Sequence, residues 1–221
     1  MRIAIAGDIH GHLDLMYEQV LPLNPDVVIQ TGDAGLFPDP AKLDHESKQH
    51  AIPLDFLEYY AGRKKIPVQT YFIKGNHDDY DFLDHFPQGK IAGLTYWPQG
   101  TLATLGDLRC GALGGVYSPS SFGKDTNALS QKRRRHFTAQ DIESIARKGF
   151  DVLISHDGPK SEALPRGSEK ITELIERVNP LAVFHSHHHK AYSTTHHGTI
   201  ITGLAAIAPH EESLGVFLYE C

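Results

Sequence analysis

Five short apolar runs in this chain each stop at a side chain able to ligate a metal. Arg2 to Ala6 leads into Gly7-Asp8-Ile9-His10, Asp26 to Gln30 into Thr31-Gly32-Asp33, and Val68 to Ile73 into Gly75-Asn76-His77. Asp151 to Ile154 leads into Ser155-His156, and Leu181 to Phe184 into His185-Ser186-His187-His188-His189. Short apolar runs bounded by polar turns read as strands buried on both faces. Between the first three, Leu13 to Val20 reads as a helix closed by Pro22 and Pro25. Pro53 to Ala61 reads as a second helix, with proline at its first position and Gly62 past its end. The opening portion is therefore β-α-β-α-β, the pattern of a parallel sheet with helices on its faces. Ligands of such sheets bind beyond the C-terminal strand ends, which is where the Asp, Asn and His residues gather.

The rest of the chain is richer in strands. Thr101 to Thr104 and Leu108 to Leu113 flank Gly106-Asp107 and predict a hairpin. Thr138 to Arg147 predicts a helix in which Thr138 is the cap and Asp141 echoes a capping box. Ser168 to Val178 predicts another helix. Alternating segments near Tyr192, Ile200 and Phe217 predict antiparallel strands. Two sheets packed face to face, with helices outside, accommodate this order. The 221 residues show no repeat or linker and are read as a single domain, 1–221.

Other features narrow the setting. Cys110 and Cys221 are the only cysteines, too few for a disulfide framework, and the N-terminus carries no secretory pattern. A cytoplasmic location is the expectation, without a membrane span, since no segment approaches ~20 apolar residues. The net charge of −6 argues against a nucleic-acid coat protein, although Lys132 to Arg135 form a local basic run. Trp97, Tyr59, Tyr60 and Cys110 read as packing residues.

The donor set suggests a chemistry. Two divalent ions about 3.5–4 Å apart can clamp the attacking and departing oxygens of a displacement at phosphorus. Imidazole and carboxylate donors without thiolates suit Mn, Fe or Zn, with Mn²⁺ the first ion to assay. Asp33, alone on its loop, is the natural bridging carboxylate. Asn76 can donate an oxygen without adding charge. His77, beside a candidate ligand, can act as general acid toward the leaving oxygen.

Together these stretches resemble the calcineurin-like metallophosphoesterases. Gly7-Asp8-Ile9-His10-Gly11, Gly32-Asp33, Gly75-Asn76-His77-Asp78 and Ser155-His156-Asp157-Gly158-Pro159 look like the first four motifs of that family. Ser186-His187-His188-His189 looks like the fifth, usually Gly-His-x-His. The resemblance implies an α/β fold, a four-layer αββα sandwich of two mixed β-sheets. It assigns Asp8, His10, Asp33 and His189 to one metal and Asp33, Asn76, His156 and His187 to the other. The implied reaction is hydrolysis of a phosphate ester by a hydroxide held between two metals, with His77 protonating or stabilising the leaving group. A rival register pairs His185 with His187, but it puts Phe184 where a small residue belongs.

Several stretches also resemble the RNA lariat debranching enzymes, which cut a 2′,5′-phosphodiester. These are Phe56 to Val68, Phe86-Pro87-Gln88-Gly89, Ala92 to Tyr96 and Gly111 to Tyr117. Many debranching enzymes carry Cys where Asp8 stands, and their substrate-recognition insert and C-terminal extension are longer. The expected substrate is a phosphodiester of RNA or a nucleotide, with Arg134 and Arg135 as candidate phosphate contacts. A scaffold inherited without that substrate stands beside this reading. So does a phosphomonoesterase or protein phosphatase, although Ala34-Gly35-Leu36-Phe37 offers no phosphate-clamping charge. A non-catalytic metal-binding scaffold, with weak sites at His196-His197 and His210, is the reading from another class. Asp78 either orients His77 or caps the following helix.

Overall fold

The computed structural model describes residues 1–43, 48, 54–209 and 215–221. The first sheet contains β1 (Arg2–Ala6), β2 (Val27–Gln30), β3 (Thr70–Phe72), β4 (Leu94–Tyr96) and β11 (Val216–Glu220), in the order β11-β1-β2-β3-β4. Only β11 runs antiparallel to its neighbour. The second sheet contains β5 (Thr101–Leu105), β6 (Leu108–Leu113), β7 (Val152–Ser155), β8 (Ala182–His185), β9 (Tyr192–His196) and β10 (Thr199–Gly203). Its order is β5-β6-β7-β8-β10-β9, parallel through the middle with an antiparallel strand at each edge.

Strand alternation builds the layers. Ile3 and Ile5 of β1 point into a core shared with Val152 and Ile154 of β7 and Ala182 and Phe184 of β8, between the sheets. Their neighbours Ala4 and Ala6 face the other way, onto Leu13 and Met16 of α1 (Leu13–Val20) and Phe56 of α2 (Asp55–Tyr60). Leu153 and Val183 face outward from the second sheet. They meet Ile142 and Ile145 of α5 (Ala139–Ala146) and Ile171, Leu174 and Ile175 of α6 (Glu169–Val178). Each central strand thus buries both faces, and the result is helix, sheet, sheet, helix. This is the four-layer sandwich expected.

Local expectations fare unevenly. The hairpin turns at Gly106, with Leu105 opposite Leu108. The Thr138 hydroxyl accepts from the Asp141 N–H while the Asp141 carboxylate accepts from the Thr138 N–H, a closed capping box. The strand expected over Val68 to Ile73 shortens to Thr70–Phe72. Edge strand β4 and the short helices α3 (Tyr80–Asp84) and α4 (Pro119–Phe122) escape a pattern-based reading, being too brief to show a period. Pro53 and His210 lie outside the described residues. No helix among the described residues is long and apolar enough to cross a membrane.

Candidate metal centre

Each candidate ligand stands just past a strand, where the chain turns sharply to face the cleft. His10, Asp33, His187 and His189 have φ of 41°, 52°, 57° and 50°, in the left-handed region. A non-glycine residue there costs roughly 1–2 kcal/mol, and such strain concentrates at functional sites. Glycines make the room. A Cβ on Gly32 would fall 2.5 Å from His156 Nδ1, and one on Gly75 would overlap the Asp33 carboxylate.

Two groups of donors result. In the first, Asp8, His10 and His189 hold their ligand atoms within 4.8 Å of one another. His189 Nε2 lies 2.8 Å from Asp8 Oδ2 and 3.3 Å from His10 Nε2. In the second, the ligand atoms of Asp33, His156 and His187 also lie within 4.8 Å of one another. His156 Nε2 lies 2.9 Å from Asn76 Oδ1 and 3.5 Å from Asp33 Oδ2. His156 also joins the two groups, its Nδ1 being 3.6 Å from Asp8 Oδ1.

The hydrogen bonds decide which atoms face a ligand. The Thr31 carbonyl, 3.0 Å from His156 Nδ1, can only accept, so Nδ1–H donates to it and Nε2 is turned to the site. Burial by itself would raise the Asp8 and Asp33 carboxyls, yet His156 and the neighbouring imidazoles hold both below the usual carboxylate range. Burial opposes charge on His156 too, but Asp33 and Asp8 outweigh it and push the ring up to about 10. Burial, with His156 beside it, pushes His187 down to about 4. A fully buried pair of carboxylates facing imidazoles is a site that calls for positive charge, and the donor types fit two divalent transition ions.

Other residues set the loops. The His77 N–H donates to Asp33 Oδ1 at 2.7 Å, and its half-buried ring lies 6.0 Å from that of His10. Asp78 does not cap the next helix. Asp79 does so by accepting from the Phe82 N–H. The Asp78 carboxylate instead accepts from Gly75 and Gly35 at 2.7 and 2.9 Å, stapling the loop after β3 to the loop after β2. Asp157, to which the sequence reading gave no role, accepts from Tyr117 N–H, Gly158 N–H and His188 Nε2 at 3.0, 2.9 and 3.0 Å. Its place in the Ser155-His156-Asp157-Gly158-Pro159 stretch was the signal available.

The crowded histidines separate. His187 and His189 join the two groups, whereas His185 Nε2 lies 2.7 Å from the Tyr192 hydroxyl. The basic run divides as well. Arg134 pairs with both Asp81 and Asp84 of α3, and Arg135 Nε donates to the Lys132 carbonyl at 3.0 Å.

A family model described as calcineurin-like phosphoesterase matches residues 1–191. The chain is 26% identical to the lariat debranching enzyme of Schizosaccharomyces pombe, over 90% of this chain and 50% of that protein. It is 29% identical to the lariat debranching enzyme of Caenorhabditis elegans, over 72% of this chain and 37% of that protein. The chain thus spans about half the length, or less, of these curated relatives. A protein from Thermus thermophilus superposes with a TM-score of 0.63 at 14% identity, covering 93% of this chain and 89% of that one. A dimetal phosphatase from Danio rerio superposes at 0.61 and 12% identity, covering 99% and 91%. These two likenesses show the fold.

Proposed function

The chain belongs to the calcineurin-like phosphoesterase family, and from that premise we propose that it is a phosphodiesterase acting on nucleic acid or nucleotides. The observation that carries the reading is the pair of Asp/His groups joined through His156. Asp8, His10 and His189 would hold one divalent ion, and Asn76, His156 and His187 the other, with Asp33 shared. When bound, two such ions supply Lewis acidity at the phosphoryl oxygens and a more acidic attacking water. Mn, Fe and Zn all suit these donors.

The protein's own groups do the rest. Asp8 and Asp33 carry the negative charge that would retain such ions. The Thr31 carbonyl keeps His156 in one tautomer. His77, tethered by its N–H to Asp33, protonates the departing oxygen. Asp78 keeps the two loops in register so that this geometry does not drift. Residues 1–221 act as one catalytic domain in this reading, with Arg135 as the arginine offered to substrate phosphate.

Similarity to the lariat debranching enzymes supports a 2′,5′-phosphodiester as the preferred bond. The test is a substrate panel with Mn²⁺: 2′,5′-branched RNA, linear RNA and DNA, cyclic nucleotides, and nitrophenyl mono- and diesters. Turnover of the branched RNA and the diester is expected. Activity confined to monoesters would overturn the diester reading, and no activity with any ester would overturn the hydrolase reading.

A further inference from the structure

His196 closes β9 and His197 opens the turn toward β10. Consecutive side chains of an extended strand point to opposite faces, so adjacent histidines there do not ordinarily share a ligand. Here His197 enters the left-handed region at φ 48°, which breaks the alternation. The two rings come to lie 4.4 Å apart, centroid to centroid, at 76° to each other. His196 pairs with Thr199, on the face that also carries Ile201 and packs under α6. From α6, Glu176 brings Oε1 to 3.1 Å from His196 Nε2. One oxygen of Glu176 and one nitrogen from each histidine lie within 4.8 Å of one another.

We propose that Glu176, His196 and His197 form a further metal site, taking one exchangeable divalent ion of the zinc class. Two imidazoles and a carboxylate suit Zn²⁺, Ni²⁺ or Cu²⁺ better than Mg²⁺ or Ca²⁺. Three protein donors on an exposed surface leave the fourth position of a tetrahedron to water, hence ready exchange. The site is distinct from the candidate centre. β10 runs from Thr199, beside His196, to Gly203, which is in register with His185 at the cleft end of β8. Four residue steps of strand separate those ends by about 13 Å.

An ion there would tie the hairpin tip to α6. β9 is the edge of the six-stranded sheet, and an edge strand is the part of a sheet most open to fraying or mispairing. The site is therefore a metal clip for the edge, and it does not depend on the proposed hydrolase activity.

The test uses the full chain, stripped with a chelator and equilibrated with Zn²⁺ alone. Bound zinc is counted for the wild type, His197→Ala, Glu176→Gln and Asp33→Asn. The first two variants are expected to bind one equivalent less than the wild type, while Asp33→Asn keeps that ion. Zn²⁺ is also expected to slow amide exchange across residues 192–203 in the wild type and in Asp33→Asn, but not in His197→Ala. Equal zinc content in the wild type, His197→Ala and Glu176→Gln would overturn the proposal and leave His196 and Glu176 as an ion pair only.

Discussion

The Asp33 carboxylate accepts a 2.7 Å hydrogen bond from the backbone N–H of His77, 44 positions along the chain. The contact sets the shared carboxylate and the proposed acid relative to each other. It exists because Gly75 has no Cβ to fill the space that the carboxylate occupies. Asp78 reinforces it from behind by accepting from both Gly35 and Gly75.

If His77 donates a proton, its value depends on the leaving group. His77→Ala is expected to lower kcat by about 10²- to 10⁴-fold on a diester with an alkoxide leaving group. The loss on a nitrophenyl diester should be far smaller, because nitrophenolate departs without a proton. Steady-state kinetics on the two substrates check this. Equal losses would make His77 a positioning residue.

Gly32 has φ 104° and abuts the His156 ring. Gly32→Ala therefore combines backbone strain with a collision, and a loss of roughly 1–3 kcal/mol in stability is expected. Metal content should fall at the Asp33 group before the Asp8 group. Thermal unfolding and metal analysis of the same preparation test both parts.

Arg134 is held by Asp81 and Asp84 with its side chain 19% exposed. Arg134→Ala should lower stability by about 0.5–1 kcal/mol, as for a partly exposed ion pair, and leave KM unchanged. Arg135→Ala should raise KM for oligonucleotides and flatten their salt dependence. A KM effect confined to Arg134→Ala would reverse these roles.

Asp14, which is not among the proposed ligands, supplies a pH test. Burial would raise its carboxyl, but Lys64 and the Tyr59 hydroxyl, 2.7 Å away, hold it below the ordinary 3.8. A depressed folded-state value means that the contact stabilises fully above 3.8 and is lost as pH falls through the folded value. The Tm gap between wild type and Asp14→Asn should therefore be wide near about pH 6 and close progressively in acid. A gap that is constant across this range would mean that the Asp14 charge is not what stabilises.

Much of this was legible in the chain, for a local reason. Apolar runs of strand length ending in Asp, Asn or His announce a parallel sheet with donors at one end. Thr138 with Asp141, and Gly106 beside Asp107, signal a cap and a turn through neighbours a few positions apart. Such features depend on short stretches of backbone whose geometry the nearest residues dictate.

What only the tertiary structure decided concerns residues far apart in sequence. The residue order from His185 to His189 favours His187 and His189 over the rival pairing of His185 with His187, but it does not show how the rings turn. Left-handed turns at His187 and His189 aim those two inward, while Tyr192 claims His185. Nothing near Asp78 reveals that it also reaches Gly35, and nothing near Arg134 reveals Asp81 and Asp84. The two Asp/His groups of the candidate centre were foreseeable as a set of donors. Their closure around His156, within reach of both Asp8 and Asp33, required the two sheets to pack and bring separate loops together. Residue type and strand ends are properties of the chain, but a side chain's direction is set by φ and by whatever the fold places against it.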